Sequence, residues 1–175
     1  MRPPEETYFD KSTWGDGPWQ GEPDRVEWRF FGTPRLAMLI VRNSMGALCG
    51  YVGVPPGHPW HGKHYGDIDA EVHGGLTYSD ACVEGGNICH VALPGEPEEV
   101  WWQGFDCGHS FDLAPGMNAR LRACGARDLG FLSDLSDGTS YREIGYVRAE
   151  VERLALQASR VAKGLSPVEE GAVAE

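Results

Sequence analysis

One short segment of the chain carries several side chains that can do chemistry. A hydrophobic run, Trp101–Phe105, leads directly into four such side chains: Asp106, Cys107, His109 and Asp112. A strand end is a rigid place from which to project reactive groups, and sites are often built there. Alternation along a strand would place Cys107 and His109 on the same side. The segment is therefore the first candidate for a functional site.

Histidines form the second concentration of such groups. Five of the six histidines fall between residues 58 and 90, and His73 opens a His-Gly-Gly sequence. Neutral imidazole is the commonest protein ligand for zinc, and thiolates and carboxylates complete most such sites. We therefore predict that His73, Cys107 and His109 hold zinc or another divalent metal, with Asp112 or a water as fourth ligand. No C-x-x-C pair or H-E-x-x-H motif is present, so spacing alone does not identify a metal site.

The same residues suit thiol chemistry. Cys107 can act as nucleophile with His109 or His73 as base, while Asp106 or Asp112 orients the base. A purely structural interpretation competes with this one, because a free Cys is usually a small buried residue. The catalytic candidates are thus Cys107, His109, His73 and Asp106, and whether the protein is an enzyme stays open.

A small ligand is a further possibility. Aromatic side chains near the histidines, such as Trp102, can stack on a planar ligand, although a core position explains them equally well. The glycine pairs at 74–75 and 85–86 do not match a phosphate-binding fingerprint. The residues that we predict to contact a ligand are His58, His73, Tyr78, Trp102 and Asp112.

Composition narrows the class of partner. The chain has 15 basic and 26 acidic residues and a formal net charge of -11. Such a surface repels the phosphate backbone of nucleic acids. The longest apolar stretch, Leu36–Val41, is too short to span a bilayer. We expect the partner to be a small molecule or a host or viral protein, and leave the oligomeric state open.

The number and spacing of the cysteines and the first residues of the sequence predict the cellular compartment. The five cysteines are odd in number and irregularly spaced, a pattern typical of reduced thiols. Residues 1–6 include no apolar segment of the kind that directs secretion. We therefore expect a cytoplasmic protein, which means the host cytoplasm if a phage encodes it.

The elements that must position these residues are mostly short strands. The 24 glycines and 12 prolines favour turns over a helical bundle. Ile68–Tyr78 is predicted to be extended, with an interruption at its glycine pair. The predicted strands are Val26–Phe31, Leu36–Arg42, Ala47–Val54, Ile88–Leu93 and Val100–Phe105.

One longer helix is predicted near the end of the chain. Ser140 and Glu143 have the spacing of a capping box, and Gly164 is a natural stop. A short helix is also expected near Asn118–Cys124, inside a loop-like stretch from Ser110 to Asp137. An apolar stripe at helical spacing follows the capping box: Ile144, Val147, Val151, Leu154, Ala158 and Val161.

These elements predict an α+β fold: a mostly antiparallel twisted sheet of short strands with long loops, packed against one C-terminal amphipathic helix. The length of 175 residues suits a single domain. We assign 1–25 to an irregular lead-in held down by Trp14 and Trp19, 26–163 to the domain, and 164–175 to a disordered tail.

Four blocks of the sequence have a recognisable pattern: Leu39–Arg42, Leu48–Pro59, Val72–Tyr78 and Gly104–His109. Together they resemble a family of tailed-bacteriophage and bacterial proteins, often actinobacterial, for which no activity is established. The resemblance covers roughly residues 26–160. It implies a phage or prophage setting and carries no catalytic residue across.

The leading hypothesis is a cytoplasmic phage-type domain that binds a metal or small ligand in a pocket lined by His73, Cys107, His109 and Asp112. A small metal-dependent or Cys/His-dependent hydrolase or transferase is the first alternative. A non-catalytic interaction protein, such as an inhibitor of a host factor, is the second.

Overall fold

A five-stranded antiparallel sheet is the framework of the computed structural model, which describes residues 8–83, 85–125 and 139–168. The strands are β1 (Arg25–Phe30), β2 (Leu36–Arg42), β3 (Leu48–Val54), β4 (Tyr78–Ala81) and β5 (Trp101–Asp106). The helices are α1 (Pro115–Ala123) and α2 (Ile144–Ala162), and single 3-10 turns lie at Pro18–Gln20 and Tyr65–Asp67. The predicted α+β class is confirmed.

The strand order in the sheet is β1-β2-β3-β5-β4, with every neighbouring pair antiparallel. Strands β2 and β3 are buried along their whole length, as expected for strands covered on both faces. Strand β5 pairs with β3 from Cys49 opposite Asp106 to Val54 opposite Trp101. The order places the end of β5 next to the segment that leads into β4.

Helix α2 covers one face of the sheet with its apolar stripe. Val147, Val151 and Leu154 are fully buried in the larger core cluster, as the helical spacing predicts. The helix approaches the sheet closely at Gly50, where an added Cβ would stand 2.5 Å from a methyl group of Val151. The opposite face carries a second cluster that includes Leu39, Tyr51, Val100 and Trp102.

The start of α2 differs from the prediction. The helix begins at Ile144, and neither Ser140 nor Glu143 makes the predicted capping bonds: the N-cap Glu143 has no side-chain cap bond, and Ser140 forms an isolated bridge with Asp112. Glu22 accepts the Ile144 N–H at 2.7 Å instead. The prediction of a capping box was wrong because a distant carboxylate from the lead-in accepts the N–H at the helix start.

The predicted end of α2 at Gly164 is confirmed. Gly164 has φ +74°, and the Leu165 N–H donates to the Arg160 carbonyl at 3.1 Å.

The described part of the lead-in, residues 8–25, packs onto the domain through its tryptophans. Trp14 and Trp19 are both buried. Arg42, whose side chain is 0% exposed, is ion-paired with Asp24 at 2.7 Å and with Glu22 at 3.1 Å. Since an unpaired buried guanidinium is strongly unfavourable, these two acids fix the lead-in to the sheet.

Two strand predictions were wrong. Ile88–Leu93 forms no strand, because arginine side chains rather than a neighbouring strand bind its backbone: Arg25 donates to the Cys89 carbonyl, and Arg29 to the Val91 carbonyl at 2.7 Å. In the predicted extended segment Ile68–Tyr78, only Tyr78 belongs to a strand. The rest is loop, with a turn at residues 73–74.

The cysteine prediction was also wrong in part. Cys82 and Cys89 form a disulfide, while Cys49, Cys107 and Cys124 are free. Cys82 and Ile88, at the two ends of the loop that the disulfide closes, pack against the second core cluster. The short helix expected near Asn118–Cys124 is confirmed as α1. Residues 126–137 of the predicted loop and residues 169–175 of the predicted 164–175 tail lie outside the described residues. None of the described helices is both long enough and apolar enough to cross a membrane.

Candidate metal centre

Two turns at one end of the sheet bring the candidate site together. His73 lies in a turn closed by the Gly75 N–H and the Val72 carbonyl, and its own N–H donates to Glu150 of α2 at 2.7 Å. His109 and Asp112 lie in the turn that follows β5, closed by the Asp112 N–H and the His109 carbonyl at 2.8 Å. The site thus lies between two loops, and α2 contacts it through Glu150.

Three possible ligand atoms converge at this place. The Asp112 Oδ2 atom lies 2.7 Å from His73 Nε2 and 3.5 Å from His109 Nδ1. One ligand atom of each residue lies within 4.8 Å of the other two. Ligand atoms of a tetrahedral zinc site are separated by about 3.3 Å, as follows from bonds of about 2.0–2.1 Å. The cluster of His73, His109 and Asp112 can therefore hold a metal ion.

Asp112 is the anionic centre of the cluster, with a side chain only 1% exposed. Arg142 Nε contacts its other oxygen, Oδ1, at 2.8 Å. Burial acts to raise the pKa of Asp112, but hydrogen bonds from His73, Arg142 and the His109 N–H outweigh burial and hold the pKa below its ordinary value. The carboxylate is therefore ionised at neutral pH, as a metal ligand must be.

His73 is held in place through its second ring nitrogen. Nδ1 lies 3.0 Å from the Tyr146 hydroxyl on α2. The Arg142 guanidinium in turn lies over the Tyr146 ring, 5.2 Å from its centroid. Metal-binding histidines usually have a hydrogen-bond partner on the nitrogen that does not bind the metal, and that partner orients the ring. Tyr146 occupies that position.

His109 brings an unused nitrogen to the cluster. Its Nδ1 atom is buried and makes no hydrogen bond within the described part of the chain. A buried polar atom without a partner costs about 1–3 kcal/mol. The ring lies against Gly74, where an added Cβ would stand 2.2 Å from a ring carbon. Gly74 thus leaves the space that the His109 ring occupies.

Cys107 does not join the three ligand atoms. Strand β5 ends at Asp106, so strand alternation does not extend to His109. Cys107 is buried in the larger core cluster, and its N–H donates to the Leu48 carbonyl at 3.0 Å. Burial, followed by the negative charge of Asp112, raises the pKa of the thiol well above its ordinary value. A raised pKa disfavours the thiolate that metal binding or nucleophilic attack needs.

Asp106, the remaining catalytic candidate, lies beside the cluster. Its Oδ1 atom is 4.0 Å from His109 Nδ1. The carboxylate accepts hydrogen bonds from the Thr77 hydroxyl and the Gly108 N–H, both at 2.9 Å. These bonds fix its position at the edge of the site.

The structure does not bring three other ligand candidates to the cluster. His58 is buried with both nitrogens in use, since Nδ1 accepts from the Trp60 N–H at 3.0 Å and Nε2 lies 2.9 Å from the Ala158 carbonyl. Tyr78 packs edge-on against Tyr51 at 5.4 Å. Trp102 is 0% exposed and has no face open to a ligand. The contact of His58 with the Ala158 carbonyl connects the loop of His58 to α2.

Sequence reasoning missed Arg142, Tyr146 and Glu150. These residues recur at a spacing of four. Arg142 lies two positions before α2, and Tyr146 and Glu150 lie on one face of the first turns of the helix. This row of three polar side chains lies next to the apolar stripe of α2, and its regular spacing is visible in the sequence. The connection of this row to His73 and Asp112 depends on contacts between residues 30 to 77 positions apart and has no signal in spacing.

No protein-family model, no curated protein and no solved structure matches the chain.

Proposed function

We propose that the domain binds a divalent transition metal of the zinc type through His73 Nε2, His109 Nδ1 and Asp112 Oδ2. The observation that carries this proposal is the convergence of the three ligand atoms within 4.8 Å. Two imidazoles and one carboxylate suit zinc and its neighbours in the first transition series. Calcium and magnesium prefer sets made up of oxygen ligands.

The surroundings of the three residues support the proposal. Asp112 is fixed by Arg142 at 2.8 Å, and the His73 ring by Tyr146 at 3.0 Å. Metal binding would replace the His73–Asp112 hydrogen bond with two metal–ligand bonds and would give His109 Nδ1 a partner. Three protein ligands leave one tetrahedral position for water or a small ligand, which is the pattern of catalytic rather than structural zinc sites.

The proposal differs from the leading sequence hypothesis in its ligand set. Cys107, whose side chain lies in the core, is left out of the set, and Asp112, which the sequence offered only as a possible fourth ligand, becomes the third. We retain the phage or prophage setting as part of the proposal on the strength of the sequence blocks.

Zinc stoichiometry tests the proposal. The chain is dialysed against buffered zinc, and bound metal is measured by elemental analysis and by competition with a chromophoric chelator. We expect one zinc per chain, and at least a tenfold loss of affinity in His73→Ala and His109→Ala. His64→Ala is the matched control, since His64 is exposed and lies outside the cluster. A chain that remains metal-free at saturating zinc contradicts the proposal.

A metal-dependent hydrolase is the second candidate function, and the position of Asp106 favours it. A carboxylate next to the open metal position can accept a proton from metal-bound water, and Asp106 Oδ1 lies 4.0 Å from the ligand nitrogen of His109. Zinc-loaded protein is assayed with chromogenic carboxylate and phosphate esters. Turnover that Asp106→Asn abolishes while zinc stays bound would support this function, and no turnover of either ester class would contradict it.

A further inference from the structure

Strand β1 lies at one edge of the sheet, and no strand among the described residues pairs with its outer side. The Arg42 N–H donates to the Asp24 carbonyl at 2.8 Å, in register with the β1–β2 ladder. The direction of the backbone hydrogen bonds alternates along an antiparallel strand, so the even-numbered residues of β1 bond to β2. The N–H and C=O groups of Arg25, Glu27 and Arg29 therefore point away from the sheet.

These outward groups make no backbone hydrogen bond to any residue that the structure describes. The neighbouring segment 87–96 contacts the side chains of β1 instead. Glu27 accepts the Val91 N–H at 3.2 Å, and Arg29 donates to the Val91 carbonyl at 2.7 Å. All six residues of β1 stay partly exposed, whereas β2 is buried along its whole length. The outer side of β1 is therefore an edge to which another strand can bond.

The two faces of β1 differ in chemistry. On one face, Glu27 is ion-paired with Arg25 at 3.0 Å and with Arg29 at 2.9 Å, so the charges alternate along the strand. With two arginines and one glutamate, β1 is not part of the acidic surface that gives the chain its formal charge of -11. The other face carries three apolar side chains that are only partly buried against the larger core cluster: Val26, Trp28 and Phe30.

This sequence is complementary to a second copy of itself. When two copies of β1 pair antiparallel around a two-fold axis at Trp28, Glu27 of each copy lies opposite Arg29 of the other. Trp28 then lies opposite the same residue of the second copy, and Val26 lies opposite Phe30. Opposite charges meet on one face and apolar side chains on the other, while the outward N–H and C=O groups bond to each other.

The neighbouring registers are disfavoured. An axis at Glu27 brings two carboxylates together, and an axis at Arg29 brings two guanidinium groups together. An axis at Val26 places Pro23, which has no N–H, opposite Arg29 and so interrupts the ladder. Only the axis at Trp28 combines complementary charges with an unbroken ladder.

We infer that two copies of the chain associate through β1 and form one continuous antiparallel sheet, with the two-fold axis at Trp28. Phe31, whose side chain is 80% exposed, then lies opposite the partner's Arg25. A closed pair uses the same edge of both copies, and the other edge strand, β4, has only four residues. The inference is independent of metal binding, since β2 and β3 separate β1 from β5, which leads into the candidate metal centre.

Sedimentation equilibrium tests the association at chain concentrations of roughly 1 μM to 1 mM, the range of weak protein–protein affinities. We expect a reversible equilibrium between monomer and dimer. A chain that stays monomeric throughout this range overturns the inference. A series of larger oligomers also overturns it, because two-fold pairing closes at two copies.

Cysteine substitution tests the register, since each symmetric register places one residue opposite itself. Opposing Cα atoms of antiparallel strands lie about 4.5–5.5 Å apart, within the range of a disulfide. Four variants are oxidised in a Cys124→Ser background and separated on a non-reducing gel: Val26→Cys, Glu27→Cys, Trp28→Cys and Arg29→Cys. We expect the most covalent dimer with Trp28→Cys. Stronger crosslinking at another of these positions, or none at all, overturns the inference.

The pair Glu27→Pro and Glu27→Ala isolates the backbone hydrogen bond. Both variants lose the carboxylate, but only proline also removes the N–H that would donate to the second copy. Proline is tolerated at such an outward position of an edge strand, and circular dichroism confirms that both variants are folded. We expect Glu27→Pro to dimerise about tenfold or more weakly than Glu27→Ala, because each dimer loses two hydrogen bonds. Equal dimerisation constants for the two variants overturn the inference.

Discussion

The imidazole of His73 and the carboxylate of Asp112 meet at 2.7 Å, between His73 Nε2 and Asp112 Oδ2. This contact joins the turn before β4 to the turn after β5, and both turns lie against α2. It places a ring nitrogen and an ionised oxygen where one metal ion can bind both. The proposed metal site depends on this pair and on His109 beside it.

Gly74 and Gly75 provide a matched pair of variants. Both have positive φ, +65° and +84°, but an added Cβ meets the His109 ring only at Gly74. Each alanine substitution costs roughly 1–2 kcal/mol of backbone strain. We predict that Gly74→Ala also lowers zinc affinity at least tenfold because His109 is displaced, and that Gly75→Ala does not. Chelator competition measures the affinities, and equal values for the two variants would show that His109 is not a ligand.

Asp112 links stability to pH. Its pKa is lowered in the folded chain, so its ionised form stabilises the fold at pH values above the ordinary Asp pKa. That contribution is lost as the pH falls through the lowered pKa of the folded state. We predict that Asp112→Asn destabilises the metal-free protein by about 1–3 kcal/mol at neutral pH, with a smaller difference near pH 2. Urea unfolding across this range measures the effect.

The exposed Asp69 supplies the control for that experiment, since Asp69→Asn is expected to change stability by less than about 0.5 kcal/mol. A difference between Asp112→Asn and the unaltered chain that grows as the pH falls has the wrong sign and would contradict the account.

The start of α2 is predicted to depend on Glu22. This carboxylate accepts the Ile144 N–H at 2.7 Å and also pairs with Arg42 at 3.1 Å. Glu22→Ala should destabilise the protein by about 1–3 kcal/mol, because the Ile144 N–H loses its acceptor while Arg42 keeps its ion pair with Asp24. Glu143→Ala, at the position of the rejected capping box, should cost less than about 0.5 kcal/mol. Thermal or urea unfolding compares them, and a larger effect at Glu143 would restore the capping box.

The Cys82–Cys89 disulfide is predicted to stabilise the loop over the second core cluster. The two residues are separated by 7 positions, and closing a loop of that size contributes about 2.5 kcal/mol in the chain-entropy model. We predict that reduction, or the double change of Cys82 and Cys89 to serine, lowers the melting temperature. The exposed Cys124 is the control, and Cys124→Ser should leave it unchanged. Free-thiol titration that finds all five cysteines reduced under oxidising conditions would contradict the pairing.

Sequence patterns predicted those parts of the fold that depend on local regularity. Strand β2 was predicted to the residue because Leu36–Val41 is continuously apolar, and α2 was recognised from its stripe and from Gly164. Ile88–Leu93 has the composition of a strand, but its backbone partners are the side chains of Arg25 and Arg29. No local pattern encodes such a pairing.

The candidate site was likewise predicted only where local sequence features determine it. His73, His109 and Asp112 were predicted from the sequence because residues that can bind a metal or catalyse a reaction cluster near predicted strand ends. It also favoured Cys107, since alternation was extended past Asp106, where β5 ends. Tyr146 lies on α2 and Arg142 lies two residues before it, in a segment that is adjacent to the site in space and distant from it in sequence. Their role required the tertiary contacts.

X-ray absorption at the zinc edge of the loaded protein identifies the atoms bound to the metal and so tests the proposed ligand set. With His73, His109 and Asp112 as protein ligands, we predict one shell of nitrogen and oxygen at about 2.0–2.1 Å, with imidazole scattering that weakens in His109→Ala. A sulfur shell at about 2.3 Å would show that Cys107 or another thiolate binds the metal. That result, or a protein that takes up no zinc, would contradict the account.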